Sequence, residues 1–165
     1  MMNKDLRLMT ITTACALLLL LASTGCAQKK TKGEEGNANA AVSGELGNSD
    51  AGNAMGMESI QFEYDSNILS SKAKKVLIKD ARILKNNPNV AIQVEGHCDP
   101  RGGIQYNLAL GQRRADSVQH FLEDQGISES RVTTISYGKE KPLVVGESDD
   151  AYTKDRRANL AITRK

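Results

Sequence analysis

Residues 95–114 read EGHCDPRGGIQYNLALGQRR, and the fold class turns on how this stretch is read. An alternating apolar run, Val90, Ile92 and Val94, leads into it and predicts a strand with one buried face. The segment Asp99-Pro100-Arg101-Gly102-Gly103 is a turn, because Pro and Gly punctuate regular structure. From near Asn107 the spacing becomes helical. Positions i, i+3/i+4 and i+7 carry Asn107, Leu110 with Gly111, and Arg114 to one side of a helix. That side combines an amide, a position without a side chain and a fixed cation. A loop folded back over the start of the helix would set the Asp99 carboxylate opposite the Arg114 guanidinium. A zwitterion with one ammonium and one carboxylate would fit the gap between them. Both residues are expected at the surface, and from residue types alone a simple surface salt bridge is the more economical reading.

Outward from this stretch, strands alternate with helices. Ile60-Gln61-Phe62-Glu63-Tyr64 alternates apolar and polar, a strand signal. Ser70 and Ser71 are candidate caps for a helix marked by Ala73, Leu77, Ala81 and Leu84 and stopped at Asn87-Pro88. The helix after the Gly-rich turn buries Leu108, Gly111, Ala115, Val118 and Leu122, and Gly126 follows it as the C′ residue. Val132–Tyr137 reads as a third strand, 151–156 as a short helical turn, and Ala158, Leu160 and Ile162 as a last strand. The pattern predicts an α/β (α+β) sandwich, with helices packed on one face of a small mixed β-sheet.

The chain is expected to have three parts. Residues 1–25 read as a signal peptide: Lys4 and Arg7 precede an apolar run over 9–21, too short for the ~20 residues of a spanning helix. Small residues then lead to Cys26, as in a lipobox, although Ser23 stands where Leu is usual. The alternative is a plain secretory signal with Cys26 incidental. An acylated Cys26 would be anchored firmly, since burial is worth ~0.8 kcal/mol per CH₂ and several chains add. Residues 26–58 read as the lipidated cysteine and a flexible linker, rich in Gly, Asn, Ala and Ser and without a hydrophobic period. Such a linker would have an r.m.s. span of ~30 Å. Residues 59–165 form the expected folded domain.

The net charge of +2, with both signs interspersed, argues against a nucleic-acid footprint, and the chain has no Trp and only two Phe for stacking bases. Glu95, His97 and Asp99 form E-x-H-x-D, which could suggest a metal. Cys and His dominate closed zinc sites, and a histidine hydrogen-bonded within the loop is the preferred reading. No cofactor is expected. Cys98 is the one thiol left once Cys15 is removed with the leader and Cys26 is acylated. It reads as a small buried side chain. A nucleophile would need a positioned base, and His97, its neighbour in an extended segment, points the other way.

The pattern E-G-H-x-D-x-R-G-x-x-x-Y-N-x-x-L-G-x-R-R-A resembles the OmpA C-terminal-like family, and within it the peptidoglycan-associated lipoproteins of Tol–Pal systems. Phe62-x-Tyr64-Asp65, Ser136-Tyr137-Gly138-Lys139-Glu140-Lys141-Pro142 and Arg156-Arg157-Ala158 extend the resemblance over about residues 60–162. It implies a non-enzymatic domain that binds peptidoglycan and tethers the outer membrane to the cell wall. It further implies that Asp99 accepts from the ammonium of diaminopimelate in the stem peptide. Arg114 would donate a fork to its carboxylate, and Asn107 would add an amide contact. Tyr64 and Asp65 resemble the other pocket wall, with Tyr64 where Phe is frequent. Arg156 and Arg157 usually follow Asn, here Asp155, and one of them is expected to pair with acids. Ala27 after Cys26 resembles the pattern of lipoproteins sorted to the outer membrane, and a TolB-like propeller protein is the implied partner. Two rival readings are a wall-binding lipoprotein outside the Tol system and a thiol or metal hydrolase acting on the wall.

Overall fold

The Ser70 hydroxyl accepts from the backbone N–H of Ala73 at 3.1 Å and so caps helix α1, Ser71–Asn86. This is a computed structural model, and it describes residues 46–165. The expected signal peptide and Cys26 lie outside the described residues, as does the first part of the expected linker. Helix α1 stops where Pro88 forces an extended backbone, with Asn87 at φ −127°. Its buried side carries Ala73, Leu77, Ala81 and Leu84 at helical spacing. Helix α2, Ile104–Asp124, buries Leu110, Ala115, Val118 and Leu122. It ends in a Schellman turn: Gly126 adopts φ +85° and the Ile127 N–H reaches the Leu122 carbonyl at 3.0 Å. A short helix α3, Asp149–Asp155, is capped by Ser148.

The strands are β1 (Ile60–Gln61), β2 (Ala91–His97), β3 (Val132–Gly138) and β4 (Arg157–Arg164), in the order β1-β4-β2-β3. Among the described residues only β2 and β3 pair in parallel; β4 runs antiparallel to both of its neighbours. The core between sheet and helices is built from Ile92 and Val94 on β2, Leu160 and Ile162 on β4, and the buried sides of α1 and α2. This is the mixed sheet with helices that the alternation of elements predicts.

Strand β1 is shorter than the run 60–64 suggests. After Gln61 the chain turns away, and the carbonyls of Phe62, Glu63 and Ser66 are taken by arginine side chains instead of a ladder. Helix α2 starts three residues before Asn107, with Gly103 as its N-cap residue.

Residues 46–58 correct the linker expectation. They are folded against the domain. Leu46 and Ser49 donate backbone bonds to Ile162 and Leu160 at 3.0 Å each, continuing the edge of β4 beside β1. Ala54 and Met57 enter the core, and Asp50 pairs with Arg157 at 2.7 Å. The composition hides this strap because its turns need Gly and Asn. It sends two apolar side chains, Ala54 and Met57, into the core and is otherwise held by backbone bonds to β4 and polar contacts such as Asp50 with Arg157 and Ser49 with Asn159. A folded strap removes those residues from the flexible reach of the chain.

Candidate functional site

Two glycines set the geometry of the site. A Cβ on Gly96 of β2 would lie 1.8 Å from the Gly111 carbonyl oxygen, and one on Gly111 would lie 2.3 Å from the Ser136 hydroxyl. Helix α2 therefore rests directly on the sheet at this level. That contact brings Arg114 under the loop that follows β2 and Asn107 beside the turn at 99–103.

Arg114 is completely buried. Its Nε donates to the Ser66 carbonyl at 2.8 Å, Nη1 to the His97 carbonyl at 2.7 Å, and Nη2 to the Glu63 carbonyl at 3.0 Å. One guanidinium thus ties the β1–α1 junction to the end of β2. Of its five N–H groups, one on Nη2 remains for anything in the cavity; the second Nη1 hydrogen faces the Cys98 sulfur at 3.5 Å. The expectations of a surface position and of a full fork for a ligand are both corrected. Three backbone carbonyls buried by the fold need donors, and Arg114 supplies them. Burial lowers its pKa below the usual arginine value.

Asp99 is also buried, with 4% of its surface exposed; the Arg101 backbone N–H donates to its Oδ1 at 3.2 Å, and its other partners are side chains. Arg101 grips it with Nε at 3.2 Å and Nη2 at 2.6 Å, and Arg156 Nη1 adds a contact at 3.3 Å. Burial alone would push the Asp99 carboxyl up. The hydrogen bonds and charge of Arg101, helped by Arg156, outweigh it and hold the carboxyl below its usual range. Asp99 and Arg114 therefore share a site without pairing with each other. The Arg101 guanidinium lies 4.2 Å from the ring centre of Tyr64 and 4.8 Å from that of Tyr152.

Asn107 donates Nδ2 to the Arg101 carbonyl at 2.7 Å and to the Gly103 carbonyl at 3.2 Å, closing the turn at the start of α2. Asp65 sits in the left-handed region at φ +52° and accepts from the Tyr106 hydroxyl. A cavity of about 50 Å³ collects these groups. Tyr64, Asp65, Asp99, Asn107 and Arg114 all line it, together with Arg101, Tyr106 and the Cys98 thiol. The five residues singled out from the sequence thus surround one space that offers two carboxylates, a buried cation and a tyrosine rim.

Residues 61–159 match the OmpA family model. The chain belongs to the OmpA family. Over 101–103 residues this OmpA-family chain is 43% identical to the peptidoglycan-associated lipoproteins of Pasteurella multocida and Brucella melitensis. Those matches cover 62% and 61% of this chain and 69% and 60% of the relatives' own lengths. The chain therefore spans about two thirds or less of the curated relatives it matches. Among solved structures, the crystal structure of the peptidoglycan-associated lipoprotein from Burkholderia pseudomallei superposes with a TM-score of 0.61. It is 36% identical, and the match covers 63% of this chain and 88% of that one.

Other candidate residues of this OmpA-family domain fall outside the cavity or play packing roles. Glu95 and His97 approach to 3.8 Å on one side of β2, whereas Asp99 turns into the cavity, so E-x-H-x-D does not converge on a metal. His97 is buried against Tyr137, and both of its ring nitrogens lack a partner among the described residues, unlike the hydrogen-bonded histidine expected. The Cys98 thiol donates to the Asn107 carbonyl at 3.3 Å, and burial pushes its pKa up, against the effect of nearby Arg114. Arg157 pairs with Asp50 on the strap, and Arg156 reaches Asp99. The residues that sequence reasoning passed over are Arg101 and Tyr106. The signal was there: an Arg two residues after Asp99 in a Gly-rich turn can fold back on it.

Proposed function

We propose that this chain is a peptidoglycan-binding lipoprotein of the cell envelope that tethers the outer membrane to the wall without catalysis. The observation that carries the reading is the cavity. Its carboxylate, Asp99, is held ionised, while the buried Arg114 cation beneath keeps one N–H unspent. A diaminopimelate side chain ends in an ammonium and a carboxylate on one carbon. The ammonium suits Asp99, and the carboxylate suits the positive floor. Asn107 holds the turn in place, and Tyr64 and Asp65 form the outer wall. The relatives named peptidoglycan-associated lipoproteins support peptidoglycan as the polymer bound.

The finer parts of the proposal are acylation at Cys26, placement at the periplasmic face of the outer membrane, and a TolB-like propeller partner within a Tol–Pal system. A raised thiol pKa at Cys98 and its donation to Asn107 leave no activated nucleophile there and favour binding over hydrolysis. Co-sedimentation of the full chain with purified wall sacculi tests the central claim. Wild type should pellet with the wall and Asp99→Ala should stay in solution; equal pelleting would refute the pocket. Cys26→Ser should leave unprocessed or soluble protein, and capture of a propeller partner from envelope extracts tests the Tol assignment.

A further inference from the structure

Asp99, the group assigned above to a ligand ammonium, is already occupied by Arg101 through a two-point grip at 3.2 and 2.6 Å. An ammonium therefore has to displace that guanidinium, and the cavity of about 50 Å³ leaves room for only a few water molecules beside it. Arg101 is built for displacement. Its side chain is 41% exposed, and its planar head lies against Tyr64 and Tyr152, two rings that hold it at the mouth when the carboxylate is withdrawn. Arg114 below cannot take the full weight of a ligand carboxylate, because three of its donors serve Ser66, His97 and Glu63. The freed Arg101 keeps its whole planar fork, the geometry that matches a carboxylate.

Resting on the peptidoglycan reading of this pocket, we infer that binding is an exchange of ion pairs in which Arg101 is the specificity-determining residue. The ligand ammonium replaces Arg101 on Asp99, and the ligand carboxylate replaces Asp99 on Arg101. Only a zwitterionic head completes both halves. A monocation such as a lysine side chain would break the Asp99–Arg101 pair and leave the guanidinium uncompensated. The pocket thus selects diaminopimelate-type over lysine-type stem peptides at the mouth, through Arg101, as much as at the floor.

Titration calorimetry on the full chain tests this with two probes, a stem tripeptide ending in meso-diaminopimelate and the same peptide ending in lysine. Wild type should prefer the first by about tenfold or more. Arg101→Gln should bind the diaminopimelate peptide about tenfold more weakly and the lysine peptide more tightly, so that the preference falls to within about threefold. Circular dichroism should show both proteins folded. Undiminished preference in Arg101→Gln would assign carboxylate reading to Arg114 and overturn the inference. Tighter binding of both peptides would make Arg101 only a plug and overturn it as well. Failure of wild type to bind either peptide would instead refute the pocket assignment itself, and the exchange with it.

Discussion

Asp99 and Arg114 face one cavity with opposite charges, and the protein holds them in opposite ways. Asp99 accepts one backbone N–H, from Arg101, but its charged partners are side chains, one of which, Arg101, reaches into solvent. Arg114 is gripped by three backbone carbonyls and has no exposed surface. A side-chain partner can swing away for a ligand; a backbone carbonyl cannot without unfolding its segment. The anionic half of the pocket is therefore adaptable, and the cationic half is frame. Arg131 is a second case of the same device at the opposite pole. It donates to the carbonyls of Val90, Leu84 and Asn87 and so closes the end of α1 onto the start of β2.

The sharpest way to break this contrast is Arg114→Ala. It would strip donors from three carbonyls and open a void under the site. The expected loss is on the order of 3–5 kcal/mol of stability, read as a lower urea midpoint, with ligand binding lost as a consequence. Arg114→Lys keeps the charge but cannot reach three carbonyls, and should recover little of the loss. An Arg114→Ala protein as stable as wild type would move Arg114 out of the frame.

Asp80 supplies a contrast of another kind, a buried acid with almost no partner. It has no exposed surface, accepts one bond from the Glu58 N–H at 3.3 Å, and leaves Oδ2 unsatisfied among the described residues. Burial raises its pKa to about 7, aided by the charge of Glu58 and opposed by that N–H and by Lys79. The folded state then holds a proton that the unfolded chain has released. Stability contributed by Asp80 is full below about pH 4 and is lost as pH rises through about 7. The whole effect is at most ~4 kcal/mol. Urea unfolding of wild type and Asp80→Asn between pH 4 and 8 should show the variant gaining relative stability across that window. A constant difference would mean that Asp80 does not titrate there.

Asp99→Ala should act on affinity and not on the fold. Charged hydrogen bonds contribute ~1.5–3 kcal/mol each, so a diaminopimelate peptide should bind about 10- to 100-fold more weakly. The urea midpoint should move little, because Arg101 remains solvated and stacked on its tyrosines. A large stability loss would erase the distinction between the two halves of the pocket.

How much of this could be read beforehand follows from which forces act locally. Helices α1 and α2 are legible because their buried stripes repeat at 3.6 residues and Ser70 and Gly126 mark their ends. The gathering of Asp99, Asn107 and Arg114 is legible because a tight turn and a helical stripe are local features. What Arg114 binds is not legible, since the carbonyls of Glu63 and Ser66 lie about fifty residues away and any backbone offers carbonyls. The strap over 46–58 is hidden for a related reason. Its composition is that of a coil, and its order comes from β4 and Arg157, far along the chain.

The smallest expected effect falls on Cys98, which lies between the two halves. Its thiol touches both, donating to the Asn107 carbonyl at 3.3 Å and standing 3.5 Å from Arg114 Nη1. Neither contact is strong, because sulfur is a weak donor and a weak acceptor. Its raised pKa keeps it a neutral thiol at physiological pH. Cys98→Ala removes one buried sulfur and should cost about 1 kcal/mol of stability. It leaves Asp99, Arg101 and the Arg114 carbonyl bonds in place, so peptide affinity should stay within about twofold of wild type. Calorimetry and urea unfolding on the same preparation separate the two quantities. Lost affinity with an unchanged midpoint would show that the thiol joins the adaptable half of the pocket, and a midpoint shift as large as that of Arg114→Ala would place it in the frame.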